Sequence, residues 1–181
     1  MAKVFPGIEP QIAKFIAKQH IFFAASAAPE GYVNLSPRST DCLRVLDEHH
    51  VVYLDKTGSG NETAGHLARD GRMTLMFCAF EGPPMILRLY GHGRLVPRAD
   101  SEYAALLAAH FAGHEPPGAR HIIHLTCTRV QTSCGYGVPQ FGFEAERATL
   151  DEWAAKKGEA GLEAYRAEKN MMSIDGLPIN A

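Results

Sequence analysis

The residues with the clearest capacity for chemistry lie in the turn from Gly58 to Thr63, which reads Gly-Ser-Gly-Asn-Glu-Thr. A glycine-rich turn leaves backbone N–H groups free, and a helix that begins directly after it adds the positive end of its dipole. Both features attract anions, so the turn predicts a site for a ligand that carries phosphate. A plain capped helix after a loop would have the same composition, because Ser, Asn and Thr cap helices generally.

A strand and a helix must hold this turn in place. Residues 51–54 are β-branched, aromatic or aliphatic and predict a buried strand, and residues 61–67 predict a helix that follows a capping residue. Residues 55–60 have the composition of a turn. The third glycine of a dinucleotide-binding fold is missing and no alternating strands and helices follow, so that fold is not favoured.

Short strands dominate the rest of the chain. Apolar or alternating segments predict them at residues 20–27, 32–36, 72–80, 85–96 and 121–132. Gly91 and Gly93 indicate a bend that lets the sheet curl. Many short strands with short joints predict a mainly β fold with flanking helices, built as a closed antiparallel barrel.

Helices are few in this prediction. The 3.6-residue period predicts one at 9–18 and another at 99–111. Residues 149–169 predict two short helices, the first with a capping box from Thr149 to Glu152.

The composition is that of an ordinary globular protein. A length of 181 residues with 46% hydrophobic and 21% charged residues suits a single domain, with a barrel over about 10–145 and a helical tail over about 146–181. A net charge of −2 gives no broad basic surface for nucleic acid or an anionic membrane. Neither a signal-peptide core nor a membrane-length apolar run is present, so we expect a soluble cytoplasmic protein.

Five segments, in this order and spacing, resemble the pyridoxamine 5'-phosphate oxidase-like flavoproteins, which are antiparallel split β-barrels that bind FMN. The segments are residues 33–38, 52–55, 58–63, 72–80 and 87–91. The resemblance covers roughly residues 10–132 and implies a homodimer with FMN across its interface. The tail, with its SCGYGVP and SIDGLP sequences, is similar to a subgroup of that family without an assigned reaction.

The resemblance also implies which residues bind FMN. The isoalloxazine ring would contact the backbone of two strands, at Asn34, Leu35, Ser36 and Pro37 and at Tyr53, Leu54 and Asp55. The phosphate would lie beside the glycine-rich turn, at Gly58, Ser59, Gly60, Asn61 and Thr63. Its candidate cationic partners are Arg38, Lys56 and Arg88, since arginine forms paired hydrogen bonds to a phosphate dianion.

The chain departs from true pyridoxamine phosphate oxidases in three segments. VNLSPR, GSGNET and SIDGLPIN stand where those enzymes have Arg and Lys, a Ser-Arg-Lys cluster and an Arg-Leu-x-Pro ending. Oxidation of vitamin B6 is therefore not expected. The resemblance implies an FMN-dependent oxidoreductase of unknown substrate. A storage or sensor protein that binds flavin or haem without turnover stays open, as does a deazaflavin in place of FMN.

Metal chemistry has little support in the sequence. His110 and His114 could share one helix face, but no HExxH core or third ligand stands close by. His121 and His124 lie three apart on a predicted strand and so face opposite sides. We expect no metal site.

Nucleophilic catalysis has little support either. Four cysteines occur without a CxxC pair, which predicts reduced, mostly buried thiols, and no GxSxG turn is present. Cys134 and Tyr136 lie in a glycine-rich segment. They could approach the flavin from the partner subunit or simply pack a loop, and no acid or base can be named.

Overall fold

The computed structural model describes residues 2–179 and shows one eight-stranded antiparallel sheet with flanking helices. The strands are β1 (Lys3–Phe5), β2 (Ile21–Ser26), β3 (Asn34–Ser39), β4 (Leu43–Val45), β5 (His50–Lys56), β6 (Arg72–Cys78), β7 (Ile86–Pro97) and β8 (Ala119–Ser133). The helices are α1 (Pro10–Ile16), α2 (Glu62–Leu67), α3 (Ser101–His110) and α4 (Thr149–Lys169), with a 3-10 turn at Thr40–Cys42.

The sheet has the strand order β3-β2-β6-β7-β8-β5-β4, and β1 pairs with β8 off this path. The long strands β7 and β8 carry the curl that turns the sheet into a half barrel, with a register shift between Tyr90 and Gly91. A Cβ at Gly91 would collide with the backbone of Thr126, so only glycine allows this approach. The mainly β fold and the predicted bend are confirmed.

Alternation along the strands divides the core into two clusters. The larger one fills the inside of the curled sheet with residues such as Phe22, Phe77 and Leu125. The smaller one lies under α3 and includes Val52 and Ile122. Because neighbouring residues of β5 and β8 enter different clusters, both faces of these central strands are buried, and strand ends carry the polar groups.

Two local predictions are corrected or refined by the structure. β3 continues through Pro37, which costs no ladder hydrogen bond because β3 is an edge strand. The two predicted C-terminal helices are confirmed, since Gly158 breaks α4 at φ 67°. The predicted capping box is wrong: Ala148 occupies the N-cap position and Thr149 already lies inside the helix, where its hydroxyl makes no cap bond.

Within residues 2–179, no helix combines the length and the apolar character needed to cross a membrane.

Candidate functional site

Asp55, near the end of β5, is a buried carboxylate with 2% of its surface exposed. Arg120 donates from Nε to Asp55 Oδ2 at 2.6 Å, and His121 Nε2 lies 3.1 Å from the same oxygen. Arg38 forms an ion pair with the other oxygen, Oδ1. Side chains from β3, β5 and β8 therefore meet at one carboxylate.

The cluster around Asp55 carries a surplus positive charge. Burial alone would raise the pKa of Asp55, but Arg38 and Arg120 hold that pKa well below its ordinary value. Burial lowers the pKa of His121, so its imidazole is neutral at pH 7. Two guanidinium groups thus face one carboxylate. Arg38 lies on the outer side of the cluster, with 20% of its side chain exposed, against 6% for Arg120.

Arg120 also fixes the glycine-rich turn, whose carbonyl oxygens face inward. Its Nη2 donates to Gly60 O at 3.0 Å and its Nη1 to Asn170 Oδ1 at 3.2 Å. Asn170 in turn donates from Nδ2 to Gly58 O at 3.1 Å. No backbone N–H from Gly58 to Asn61 has an acceptor anywhere in the described part of the chain. The N–H groups of the turn are therefore not used by the described part of the chain.

Short polar side chains connect β3 to α2 beside this turn. Asn34 Nδ2 donates to Thr63 Oγ1 at 3.2 Å, and Ser36 Oγ donates to Asn34 Oδ1 at 3.1 Å. Ser26 Oγ, behind them on β2, lies 3.1 Å from Nδ1 of the buried His66. These bonds hold the edge strand and the first turn of α2 in one arrangement.

Asn61 sits at the N-cap position of α2, but its side chain makes no cap hydrogen bond. It is 7% exposed, and its Oδ1 has no hydrogen-bond partner among residues 2–179. A buried acceptor without a donor is costly, so a donor from a ligand would relieve that cost. The side chain of Asn61 thus neither caps α2 nor satisfies its own acceptor within residues 2–179.

The C-terminal segment, residues 170–179, packs against the same elements. Asp175 accepts hydrogen bonds from Tyr32 N, and Ile174 N donates to Glu62 Oε2 at 3.1 Å. A Cβ at Gly65 would come within 3.2 Å of Ile179, so α2 and the segment are in close contact. The tail is thus a structural part of the candidate site.

The remaining strand residues of the predicted site differ in exposure. Tyr53 is buried under Arg38, whose guanidinium lies 5.1 Å from the ring centroid, and burial raises the pKa of its hydroxyl. Leu54 points into the cluster under α3. Leu35 and Pro37 are exposed on the edge strand, and Ser59 is exposed on the turn.

Two of the three predicted cations have other partners in the structure. Lys56 Nζ donates to Asp151 of α4 at 2.7 Å. Arg88 donates to Ser133 Oγ at 3.3 Å and lies opposite Gln131 on β8, whereas Asp55 lies opposite His121. Ten residues of strand separate those positions, roughly 30 Å at 3.3 Å per residue. Of the three, Arg38 belongs to the cluster around Asp55, and contact of Lys56 or Arg88 with a phosphate stays a prediction.

Sequence reasoning missed Arg120, His121 as a partner of Asp55, and Asn170. Arg120 opens a clean strand pattern, but its carboxylate partner is 65 residues away, and Asn170 is 112 residues from Gly58. One signal was present: an arginine followed by an apolar strand is costly to bury unless a carboxylate meets it.

Residues 2–179 contain no group of three or more His, Cys, Asp or Glu side chains arranged to hold a metal ion. His110 and His114 do not form part of such a group.

The curled antiparallel sheet, with an edge strand and a buried ion cluster near its strand ends, defines a half-barrel protein. The chain belongs to the pyridoxamine 5'-phosphate oxidase family, because the family model of that description matches residues 8–134. It is also 32% identical, over 192 aligned positions, to the pyridoxamine 5'-phosphate oxidase family protein UstO of Aspergillus flavus. That alignment covers 96% of this chain and 76% of the relative.

Solved structures share the fold at low identity. A pyridoxamine 5'-phosphate oxidase-related, FMN-binding protein of Nostoc punctiforme matches with a TM-score of 0.53 and 14% identity, over 73% of this chain and 86% of its own. HutZ, the haem storage protein of Vibrio cholerae, matches with a TM-score of 0.51 and 14% identity, over 69% and 93%. The family and the fold are thus established, and proteins that share the fold include one named as FMN-binding and one named as a haem storage protein.

Proposed function

We propose that the chain is an FMN-binding homodimer that acts as an oxidoreductase. The proposal rests on the turn from Gly58 to Asn61. Arg120 binds the carbonyl oxygen of Gly60 and Asn170 binds that of Gly58. The N–H groups of the turn have no acceptor within residues 2–179. Free N–H groups beside a surplus positive charge suit a phosphate dianion. The match of the family model and the likeness to the Nostoc FMN-binding protein support FMN as the ligand.

The residues present fit the chemical groups of FMN. Arg38 and the turn's N–H groups would bind the phosphate, and the buried Oδ1 of Asn61 would accept from a hydroxyl or ring N–H. The exposed edge of β3 would lie along the ring, since backbone donors and acceptors on an edge strand lack partners. A partner subunit would cover the other side of the ring.

When bound, FMN supplies the two-electron chemistry. The buried groups of this chain position it and move no proton. The pKa of Asp55 is held low by Arg38 and Arg120, so Asp55 stays an anion across the physiological range. Burial raises the pKa of Tyr53, so that hydroxyl stays protonated. The absence of the Arg and Lys residues of true pyridoxamine phosphate oxidases argues against a vitamin B6 substrate.

The test is an absorbance spectrum of the purified protein after incubation with FMN and gel filtration, with size measured on the same column. We expect one flavin per chain and a dimeric mass. A folded protein that retains no flavin would overturn the cofactor, and an intense Soret band after incubation with haemin would support the storage alternative. A monomer with bound flavin would overturn the shared interface.

Paired variants then test the phosphate contact. Arg38→Gln should weaken FMN binding roughly 10- to 100-fold, because a charge-assisted hydrogen bond contributes about 1.5–3 kcal/mol. Arg72→Gln is the matched control, since Arg72 is 62% exposed and, within residues 2–179, pairs only with Asp70. Equal affinity of the two variants would exclude Arg38 from the site.

A further inference from the structure

A cavity of about 1390 Å³ lies beside α1 and is open to solvent. No residue of the turn from Gly58 to Thr63 lines it. Its walls are α1, the connection between β6 and β7 at residues 79–85, and a stretch without regular structure at 141–147. We call it the α1 groove. It exceeds the roughly 300–1,000 Å³ of a typical small-molecule pocket, so it has room for an extended ligand. Arg38 lines it, so the groove adjoins the candidate flavin site.

The α1 groove is positively charged. Lys14 and Lys18, one turn apart on α1 and just after it, line it together with Arg38 and Arg147. Lys14, Lys18 and Arg147 form no ion pair with any described residue. Arg38 is already paired with Asp55, so the three unpaired cations face two carboxylates, Glu81 and Glu146, which leaves one positive charge in excess.

One of those carboxylates is already used by the protein. Glu81 Oε1 accepts a hydrogen bond from Phe143 N at 2.9 Å. That bond fixes Glu81 to the wall of the α1 groove at residue 143. Several closely spaced anionic groups on a ligand would be favoured over one.

Two aromatic pairs lie along the same groove. His20 and Phe143 stack with ring centroids 3.7 Å apart and planes 8° apart. Phe80 and Phe141 lie 5.6 Å apart between centroids. Phe141 is 61% and Phe143 46% exposed, so each pair keeps an open face. Exposed aromatic faces of this kind stack on flat rings.

We propose that the α1 groove binds a dinucleotide, a ligand with two flat bases joined by a diphosphate, and that nicotinamide dinucleotide is the electron donor to the flavin. Two aromatic platforms match the two bases, and the unpaired cations Lys14, Lys18 and Arg147 match the diphosphate. The role as electron donor rests on the proposed function, because only a flavoprotein needs a hydride here. Binding itself does not depend on flavin.

The test is a titration of NADPH fluorescence with the flavin-free protein at low ionic strength. We expect saturable binding that weakens as salt is added. ADP, with one base, should bind at least tenfold more weakly, and adenosine, without phosphate, more weakly still. If ADP binds as tightly as NADPH, the groove binds a mononucleotide and the proposal of a dinucleotide is wrong. If adenosine binds as tightly as NADPH, the cations do not contribute to binding.

Variants locate the site. Lys14→Gln with Lys18→Gln should weaken NADPH binding at least tenfold, whereas Lys156→Gln with Lys169→Gln, on the far helix α4, should leave it unchanged. Phe143→Leu should weaken NADPH while sparing binding of inorganic diphosphate. If both lysine pairs cause equal losses of NADPH binding, the α1 groove is not the binding site and NADPH binds through the overall charge of the protein.

Failure of this inference is distinguishable from failure of the proposed function. Protein that retains FMN but does not bind NADPH would refute the groove alone. Protein that binds NADPH through Lys14 and Lys18 but retains no FMN would refute the flavin assignment alone. Where both bind, anaerobic NADPH should bleach the flavin, and an unbleached flavin would refute the donor role.

Discussion

The cluster around Asp55 and the α1 groove are both rich in cations, but they use them differently. In the cluster, Arg120 reaches three partners inside the protein, namely Asp55, Asn170 and the carbonyl of Gly60. In the groove, Lys14 and Lys18 reach none within residues 2–179. Burial explains the difference, because a buried charge must be paired while an exposed one is solvated. Paired cations hold the fold, and unpaired cations in a cavity are available to a ligand.

The largest expected effect lies in the cluster. Asp55→Asn keeps the shape but leaves Arg38 and Arg120 without their carboxylate, so we expect a loss of about 3–5 kcal/mol in the free energy of unfolding. Arg94→Gln, which breaks the exposed pair with Glu102, should cost less than about 1 kcal/mol. Urea denaturation measures both. Equal costs would show that the cluster is no more structural than a surface pair.

A smaller effect is expected where the tail meets the turn. Asn170→Ala removes the partner of Gly58 O and of Arg120 Nη1, and should cost about 2 kcal/mol. Gln140→Ala, at an exposed amide, should cost under about 0.5 kcal/mol. The same Asn170 variant should weaken FMN binding, as followed by flavin fluorescence. If the Asn170 variant is destabilised but binds FMN normally, the C-terminal segment does not contribute to FMN binding.

The third prediction concerns the pH dependence of the free energy of unfolding, which should reflect the cluster around Asp55. Burial holds the pKa of His121 below its ordinary 6.5 in the folded state, so between the two values the unfolded chain binds the extra proton. Stability therefore falls as pH falls below about 6.5, by up to about 1.4 kcal/mol per unit. The depressed pKa of Asp55 adds a further loss below about pH 4.

His121→Gln should flatten the first part of that decline, while His114→Gln, at an exposed position, should not. The measurement is the free energy of unfolding from denaturant titrations between pH 5 and 8. An unchanged slope in His121→Gln would assign the decline to other groups.

The smallest effect belongs to the groove. Lys14→Gln with Lys18→Gln should change the free energy of unfolding by less than about 0.5 kcal/mol, because exposed charges without partners contribute little to folding. The same pair should account for a large change in ligand binding. If the two lysine substitutions destabilise the protein substantially, the cations of the α1 groove stabilise the fold as those of the cluster do, and the difference between the two regions does not hold.

Sequence patterns predicted the features that depend on near neighbours. The strands at β5 and β8, the glycine-rich turn and the break at Gly158 follow from periodicity and from residue preference over a few positions. Alternation also gives the face on which a residue lies. It does not give the position along the neighbouring strand, which is why Arg88 could be named beside the turn although it lies near Ser133.

The site depends on pairings between distant segments, which a single sequence does not carry. Lys56 was a candidate for phosphate, but Asp151 arrives from α4 to bind it. Arg120 and Asn170 meet the turn only after the chain has folded back. The wall at Phe141 and Phe143 has no periodic pattern at all, so the α1 groove could not be predicted.

The bond from Asn170 to Gly58 has a consequence for the order of events during synthesis. The two residues are 112 positions apart, so at roughly 5–20 residues per second the ribosome makes Asn170 several seconds or more after the turn. All strands are already translated by Ser133. The strands can therefore all be translated while the turn still lacks its hydrogen bond to Asn170, so the turn reaches its final arrangement only after the C-terminal segment has been made.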